Sequence, residues 1–512
     1  MKKFLYIIIL CMFLIGCAAS SALRFPPSRW IRDNDRTPIA EPKERWRYSY
    51  AVGEYERYQI ASFEKIESFI GVPKMVTGGN EEALNVNNFD EVPDSTWFTN
   101  RLGRFEITSA LIAQGANTES APSANDEFTV IWVGRAEVVP EIIVEDAEGV
   151  HYLLIFDHAE NPESATAAAI IANRLLYAFG YNVPESYIVN LDRSKLVISP
   201  HAVTMTKYGD EIPATSEDID RLWSKVAEDP RTGFVRAAML KDLEDIPLGP
   251  FSFQGKRSDD KNDRIRHEFR RELRGLRTFC AFLDCDAMVD EQTGDFFIAD
   301  DGNKGYLMHY ILHTDNMLGA YRKPAGPAKY DPAKWNPFVS NAAFNMATKR
   351  DEFWAAAILL RLSNDAIIAA VNEAKYSSRE RSDEVIRMLI DRRDKTVAYW
   401  LGKLSPLTNF ELTNDEDRLL LTFDDIAGKN AFRYRLRTER GRAILKDWTE
   451  ISETNVRIDN DLAGRILKKR LYILELQAKK AGDEWWLPPV DVFLKRTASD
   501  EITLMGIARR YR

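Results

Sequence analysis

The stretch YLMHYILHTDNMLG, residues 306–319, sets His309 and His313 four apart, with Asp315 two further on. Two imidazoles and a carboxylate are donors that zinc accepts, and on a strand these positions share one parity and face one way. A closed zinc site wants a fourth ligand. The other histidines, His151, His158, His201 and His267, form no second cluster in the sequence, so zinc is the weakest of these chemistries. A second stretch, DCDAMVDEQTG at 284–294, carries Asp284, Asp286, Asp290 and Gln292. Those residue types suit a catalytic base with metal ligands beyond it, and equally a solvated acidic turn. The Asp259-Asp260 pair in RSDDKND precedes a helical pattern, where such pairs serve more often as caps or turns than as acid/base machinery. His267-Glu268 opens HEFRR, without the second histidine of a zinc-protease helix, and neither a Gly-x-Ser-x-Gly elbow nor a Gly-x-x-x-x-Gly-Lys phosphate loop occurs.

The elements that must position these groups follow from hydrophobic period. FTVIWV, EIIVED and HYLLIF read as short strands from Phe128 onward, rich in β-branched and aromatic residues. In NPESATAAAIIANRLLYAFG, Asn161 suits a helix N-cap, Pro162 the first position, Glu163 the positive end of the dipole and Gly180 the stop. SYIVNL and LVIS flank DRSK as an expected hairpin, and a helix near 216–227 and a strand at GFVRAAML follow. Pro247, Gly249 and Pro250 in DIPLGPF suggest a hinge. Residues 264–283 have helical period, with Ile265, Phe269, Leu273, Leu276, Cys280 and Leu283 on one face and Arg270, Arg274 and Arg277 elsewhere, as exposed partners of Glu268 and Glu272. DFFIADDGNKGYLMHYIL predicts two strands around a turn, which puts the opening stretch on a strand. Helical period returns over 351–402, and seven short strands from about Asn409 suggest a sandwich of the immunoglobulin or fibronectin type III kind.

A chain of 512 residues, 45% hydrophobic and 29% charged, has room for several domains. Its formal charge of −9 offers no basic excess to neutralise a phosphate backbone, so nucleic acid is not an expected partner. MKKFLYIIILCMFLIGC begins with Lys2 and Lys3, continues with an apolar core too short to span a bilayer comfortably, and ends in Leu14-Ile15-Gly16-Cys17. That ending resembles a bacterial lipobox. The resemblance implies a signal peptide over 1–16, diacylglycerol on Cys17, and a periplasmic or envelope address. Ala18 after the modified residue favours the outer membrane over the inner. Residues 17–45, with Pro26, Pro27, Pro38 and Pro42 among many charges, read as a tether. Once Cys11 and Cys17 are set aside, Cys280 and Cys285 remain. A disulfide across their short gap is open to them, with packing as the simpler role.

The order of elements in the middle of the chain, with the wording of GYNVPESYIVNL, GPFSFQGKRSDDKND and HEFRRELRGLRTF, resembles a family of bacterial secreted proteins and lipoproteins with an atypical protein-kinase-like fold. The resemblance implies an α+β, bilobal body, with an N-terminal region at 46–125 packed on it, lobes at 126–246 and 247–405, and a β-sandwich at 409–512. It also implies a degenerate site. A kinase-like third strand carries a phosphate-binding lysine where this chain has Ile155. The following helix should present an acidic partner, and only Glu163 is available. Asp286 is the counterpart of the catalytic base, with Asp284 and Asp290 as rivals, and Gln292 stands near the metal-binding asparagine. The family's His-Tyr-Leu-Ile-Asp-Phe-Gly aligns with residues 309–315 and puts His313 in place of the magnesium aspartate, with Asp315 two residues beyond. Imidazole is a poor substitute for a hard oxygen donor. The expectation is an envelope protein that binds or scaffolds a protein or polymer without a cofactor. A phosphotransferase using ATP and magnesium around Asp286 and Asp315 is the alternative.

Overall fold

The computed structural model describes residues 35–42, 82–123, 125–134, 139–206, 210–285, 287–320, 330–415, 418–445, 447–467, 470–480 and 482–511. Cys17 and Asp286 lie outside them. The secondary structure is α+β with several antiparallel sheets. The chain forms two compact units, one of Ile31–Asn85 and Val92–Trp400, the other including Val86–Glu91 and Leu401–Arg512. Val86–Glu91 thus belongs with the C-terminal strands.

In the larger unit the elements run β1 (Ile39–Ala40), α1 (Ser109–Gln114), β2 (Phe128–Val133), β3 (Glu141–Glu145), β4 (His151–Phe156), α2 (Ala165–Phe179), β5 (Ser186–Asp192), β6 (Leu196–Met205), β7 (Glu211–Pro213), α3 (Ser216–Trp223) and β8 (Phe234–Lys241). Seven of the strands form one sheet in the order β5-β8-β4-β3-β2-β6-β7. The expected β5/β6 hairpin is not formed: β5 pairs with β8 and β6 lies parallel to β2. Local alternation identifies a strand but not its partner. A physical consequence follows from the three-residue turn Arg193–Lys195 that joins them. Five strand spacings of about 4.8 Å would separate β5 from β6 in a flat sheet, whereas the connection reaches only about 14 Å. The sheet therefore curls. One face packs Phe128, Val130, Leu154, Phe156, Val189, Leu191, Val235 and Met239 together. The alternate residues Ile155, Ile188, Ala238 and Leu240 point the other way, onto Ala165, Ala169 and Ile170 of α2.

The segment expected to be a hinge is a strand instead. β9 (Ile246–Gly249) pairs antiparallel with β10 (Thr293–Asp301), placing Pro247 opposite Phe296 on the edge of a four-stranded sheet ordered β1-β11-β10-β9. An edge strand tolerates a residue that lacks an N–H. The helix expected over 264–283 is shorter: a 3-10 turn at His267–Phe269 precedes α4 (Arg271–Phe282). The chain then continues through β10 and β11 (Lys304–Ile311) to α5 (Ala342–Asn345), α6 (Lys349–Leu360), α7 (Asn364–Asn372) and α8 (Arg379–Leu401). Gly275 of α4 lies against Trp354 of α6, where an added Cβ would meet the indole at 2.7 Å. The arginines in and just before α4 are not exposed as expected. Arg270, Arg271 and Arg274 are buried, and Arg271 Nε donates to Asp351 Oδ1 at 3.0 Å, with Arg274 Nη1 3.5 Å from Asp351 Oδ2. Asp351, near the start of α6, supplies the compensation that buried guanidinium groups require.

The second unit contains β12 (Leu407–Asp415), β13 (Arg418–Asp425), β14 (Asn430–Thr438), β15 (Thr449–Ile451), β16 (Asn455–Ile458), α9 (Asn460–Arg465), β17 (Leu471–Lys480), β18 (Val490–Arg496) and β19 (Ile502–Arg509). Two sheets, β12-β13-β16 and β15-β14-β17-β18-β19, share one core. Leu421, Phe423, Val456 and Ile458 come from the first sheet, and Phe432, Leu474, Leu476 and Val492 from the second.

Candidate functional site

The segment after β11 is held by backbone before any side chain is considered. The carbonyl of Gln292 accepts from the N–H groups of Leu312 and His313 at 2.8 and 3.2 Å. The Gln292 amide nitrogen donates to the His313 carbonyl at 3.3 Å, and its oxygen accepts from Val289 N at 2.9 Å. Gln292 thus fastens a 3-10 turn, Asp290–Gln292, to the strand exit. Thr314 Oγ1 donates to Ala169 O of α2 at 2.9 Å, and Asn316 Nδ2 donates to Ala287 O at 2.8 Å. Leu318 adopts φ +57°, its N–H bonding Leu283 O at 2.7 Å. Ala320 O then accepts from Asn161 Nδ2 and Ser164 Oγ at 2.8 and 3.0 Å. Residues 312–320 therefore bridge α2, the end of α4 and the acidic turn.

Because β11 stops at Ile311, the alternation that would align His309 with His313 and Asp315 does not extend to them. His309 is committed elsewhere: its Nδ1 is 2.6 Å from Asp295 Oδ1, and its ring stacks on Trp97 with centroids 3.5 Å apart. Asp295 in turn receives Arg257 Nη1 at 3.0 Å. Among the described residues no three His, Cys, Asp or Glu side chains are grouped to hold a metal ion.

His313 and Asp315 do interact, and they have a third member that the sequence did not single out. Glu141, at the start of β3, is pushed up to about 8 by burial and then by the charge of Asp315. Burial pushes the His313 imidazole down, and Asp315 pulls it back up. At neutral pH this group contains a mostly protonated Glu141 beside the charge of Asp315. Such a group can hold or pass a proton. Glu141 has no distinguishing sequence signal, since it is simply the first residue of a strand after Pro140.

Ile155 is fully buried among Ala165, Ala169, Ile170, Ile188, Ala238 and Leu240, with Val139 and Leu153 packed against the cluster. Its side chain thus faces α2. Glu163 is not in the helix's first turn: α2 starts at Ala165, and Glu163 has φ +57°. Its carboxylate accepts from Ser377 N at 2.7 Å and lies 3.4 Å from Arg381 Nη1. The helix is instead anchored by Asp157, whose Oδ1 accepts from Ser164 N and Thr166 N, each at 2.9 Å, and whose Oδ2 accepts from Thr166 Oγ1 at 2.7 Å. Burial raises the Asp157 carboxyl, opposed by those bonds to Thr166 and by Arg236 at 3.7 Å. Asn161, expected as the cap, binds Ala320 O.

The rivals of Asp286 have structural tasks. Asp284 has φ +53° and accepts Arg392 Nη2 at 2.8 Å, while Asp290 Oδ1 accepts from Phe253 N at 3.0 Å. Asp260 Oδ1 accepts from Asn262 N at 2.8 Å, a side-chain-stabilised turn, and Asp259 pairs with Arg257 at 2.8 Å. No protein-family model matches the chain, and no curated protein is similar to it at a significant level.

Proposed function

We propose that this chain is a lipid-anchored protein of the bacterial cell envelope, tethered through Cys17, whose kinase-like body binds or scaffolds an envelope protein or polymer without transferring phosphate. The succession β2, β3, β4, α2, β5 and β8, followed by α4, an acidic turn, the β10/β11 hairpin and a polar segment, supports the kinase-like reading. The C-terminal unit supports an immunoglobulin or fibronectin type III relation. Its strands divide between two antiparallel sheets, and Tyr472, near the start of β17, accepts at its hydroxyl from Leu467 N at 3.0 Å, as a tyrosine corner does.

The observation that carries the functional reading is Ile155. Phosphoryl transfer needs a cation on the phosphates and hard oxygen ligands on magnesium. This chain puts an aliphatic side chain in an apolar cluster at the first position and His313 at the second. The amide oxygen of Gln292 is taken by Val289 N. These residues do not fit ATP with magnesium. A thermal-shift titration with ATP and magnesium, ATP and manganese, and zinc alone tests the reading, because a ligand that binds only the native state raises apparent stability. The expectation is no shift with ATP and magnesium. A clear shift abolished by Asp286→Ala or Asp315→Ala supports instead a phosphotransferase with a rearranged metal site. That second reading is favoured by one feature, the interaction of the Glu141 and Asp315 carboxyls. Localisation has a separate test: Cys17→Ser should release the protein from the membrane fraction, and retention in the pellet would contradict the anchor.

A further inference from the structure

The end of α4 is built as a left-handed helix stop in which two cysteines occupy the positions that such a stop presses together. The helix finishes at Phe282 with Leu283 as its cap, Asp284 takes φ +53°, and Cys285 N donates back to Cys280 O at 3.0 Å. This six-to-one bond is the signature of the Schellman motif, which habitually brings the side chains on either side of the bond into contact. Here those side chains are both thiols. Cys280 and Cys285 are 0% and 1% exposed, and Cys285 Sγ donates to Ala287 O at 3.0 Å. The thiol of Cys280 is raised well above its ordinary value by burial and by its contact with Cys285. The left-handed position is normally glycine's. Asp284 is held in it by Arg392, whose Nη2 donates to Asp284 Oδ1 at 2.8 Å and to Ala281 O at 2.6 Å, while its Nε donates to Phe282 O at 3.0 Å. The two sulfurs are thus kept together by the backbone, and by a guanidinium that caps the helix carbonyls.

We infer that Cys280 and Cys285 are a modification site: a dithiol that closes to an internal disulfide and ties the start of the acidic turn to the end of α4. The oxidant is an organic disulfide. One thiolate attacks it, forming a mixed disulfide and expelling one thiol, and the second thiolate then attacks the mixed disulfide and expels the other. Both cysteine protons are lost and the external disulfide is reduced to two thiols. Because the pair is covered, closure accompanies folding or a local opening of the helix end. The inference is independent of whether the kinase-like body binds nucleotide.

The test uses a fortunate spacing. Both cysteines fall in one tryptic fragment, Thr278–Lys304, free of Cys11 and Cys17. The full chain is treated with oxidised glutathione, unfolded in the presence of an alkylating agent and digested, and the fragment is weighed beside a reduced sample. The expected fragment is lighter than its reduced form by two hydrogen atoms and carries no alkyl group. A fragment that takes two alkyl groups after oxidation, or carries glutathione in place of the internal bond, overturns the assignment. In Cys285→Ser the loss of two hydrogens should disappear; its persistence would place the oxidation on another residue and also defeat the inference.

Discussion

Arg392 of α8 and Asp284 after α4 form a buried ion pair at 2.8 Å, their side chains 1% and 3% exposed, and the same guanidinium stacks on Tyr330 at 4.1 Å. Removing one partner of such a pair leaves the other buried and uncompensated, at a cost of roughly 3–5 kcal/mol. Arg392→Ala should therefore lower the unfolding free energy by about that amount, read from denaturant midpoints with an unchanged slope. A loss below about 0.5 kcal/mol, the scale of a surface substitution, would contradict the structural role given to this pair.

Glu141 makes stability depend on pH. Its folded value of about 8 lies above its ordinary 4.5. Folded protein therefore binds more protons than unfolded protein between those values, and this group's contribution is lost as pH rises through about 8. Glu141→Gln cannot ionise, so it should gain in melting temperature relative to the parent as pH goes from about 5 to about 9. A difference that stays constant across that range would show that Glu141 titrates normally.

Asp157 and Glu163 separate two accounts of how α2 begins. Asp157→Ala removes three hydrogen bonds and the carboxylate that lies 3.7 Å from Arg236. Loss of the bonds that anchor the helix start, with a weakened ion pair, should cost roughly 1–2 kcal/mol. Glu163→Ala should cost about 1 kcal/mol or less, as a partly exposed pair does. Chemical denaturation of both variants decides the order, and a larger loss at Glu163 would restore it to the role the sequence suggested.

The contrast explains what was legible beforehand. Alternation in HYLLIF and GFVRAAML gave β4 and β8, because period depends only on near neighbours, and the apolar stripe of α2 was legible for the same reason. Partners were not legible. SYIVNL and LVIS look like a hairpin, yet a curled sheet lets the three-residue turn join distant strands. The arginines of α4 look like an exposed face because Asp351, which compensates two of them, lies 80 residues after Arg271. Of the candidate site, Ile155 and His313 stood out only against the family that the sequence resembles, whereas Glu141 has meaning only through its interaction with Asp315.

Tyr472 offers a test confined to the C-terminal unit. Its buried hydroxyl accepts from Leu467 N at 3.0 Å, and losing one such bond in Tyr472→Phe should cost about 1 kcal/mol. The loss should be read from unfolding of the isolated C-terminal transition where two transitions resolve. An unchanged midpoint would remove the tyrosine corner as an argument for the sandwich relation.

The central claim is that this chain, with Ile155 in an apolar cluster and His313 beside Asp315, does not take a magnesium nucleotide. Equilibrium dialysis of the full chain against labelled ATP with magnesium tests it most directly. The account predicts equal label on both sides of the membrane at every concentration. Saturable retention of one ATP per chain, lost in Asp315→Ala, would contradict it.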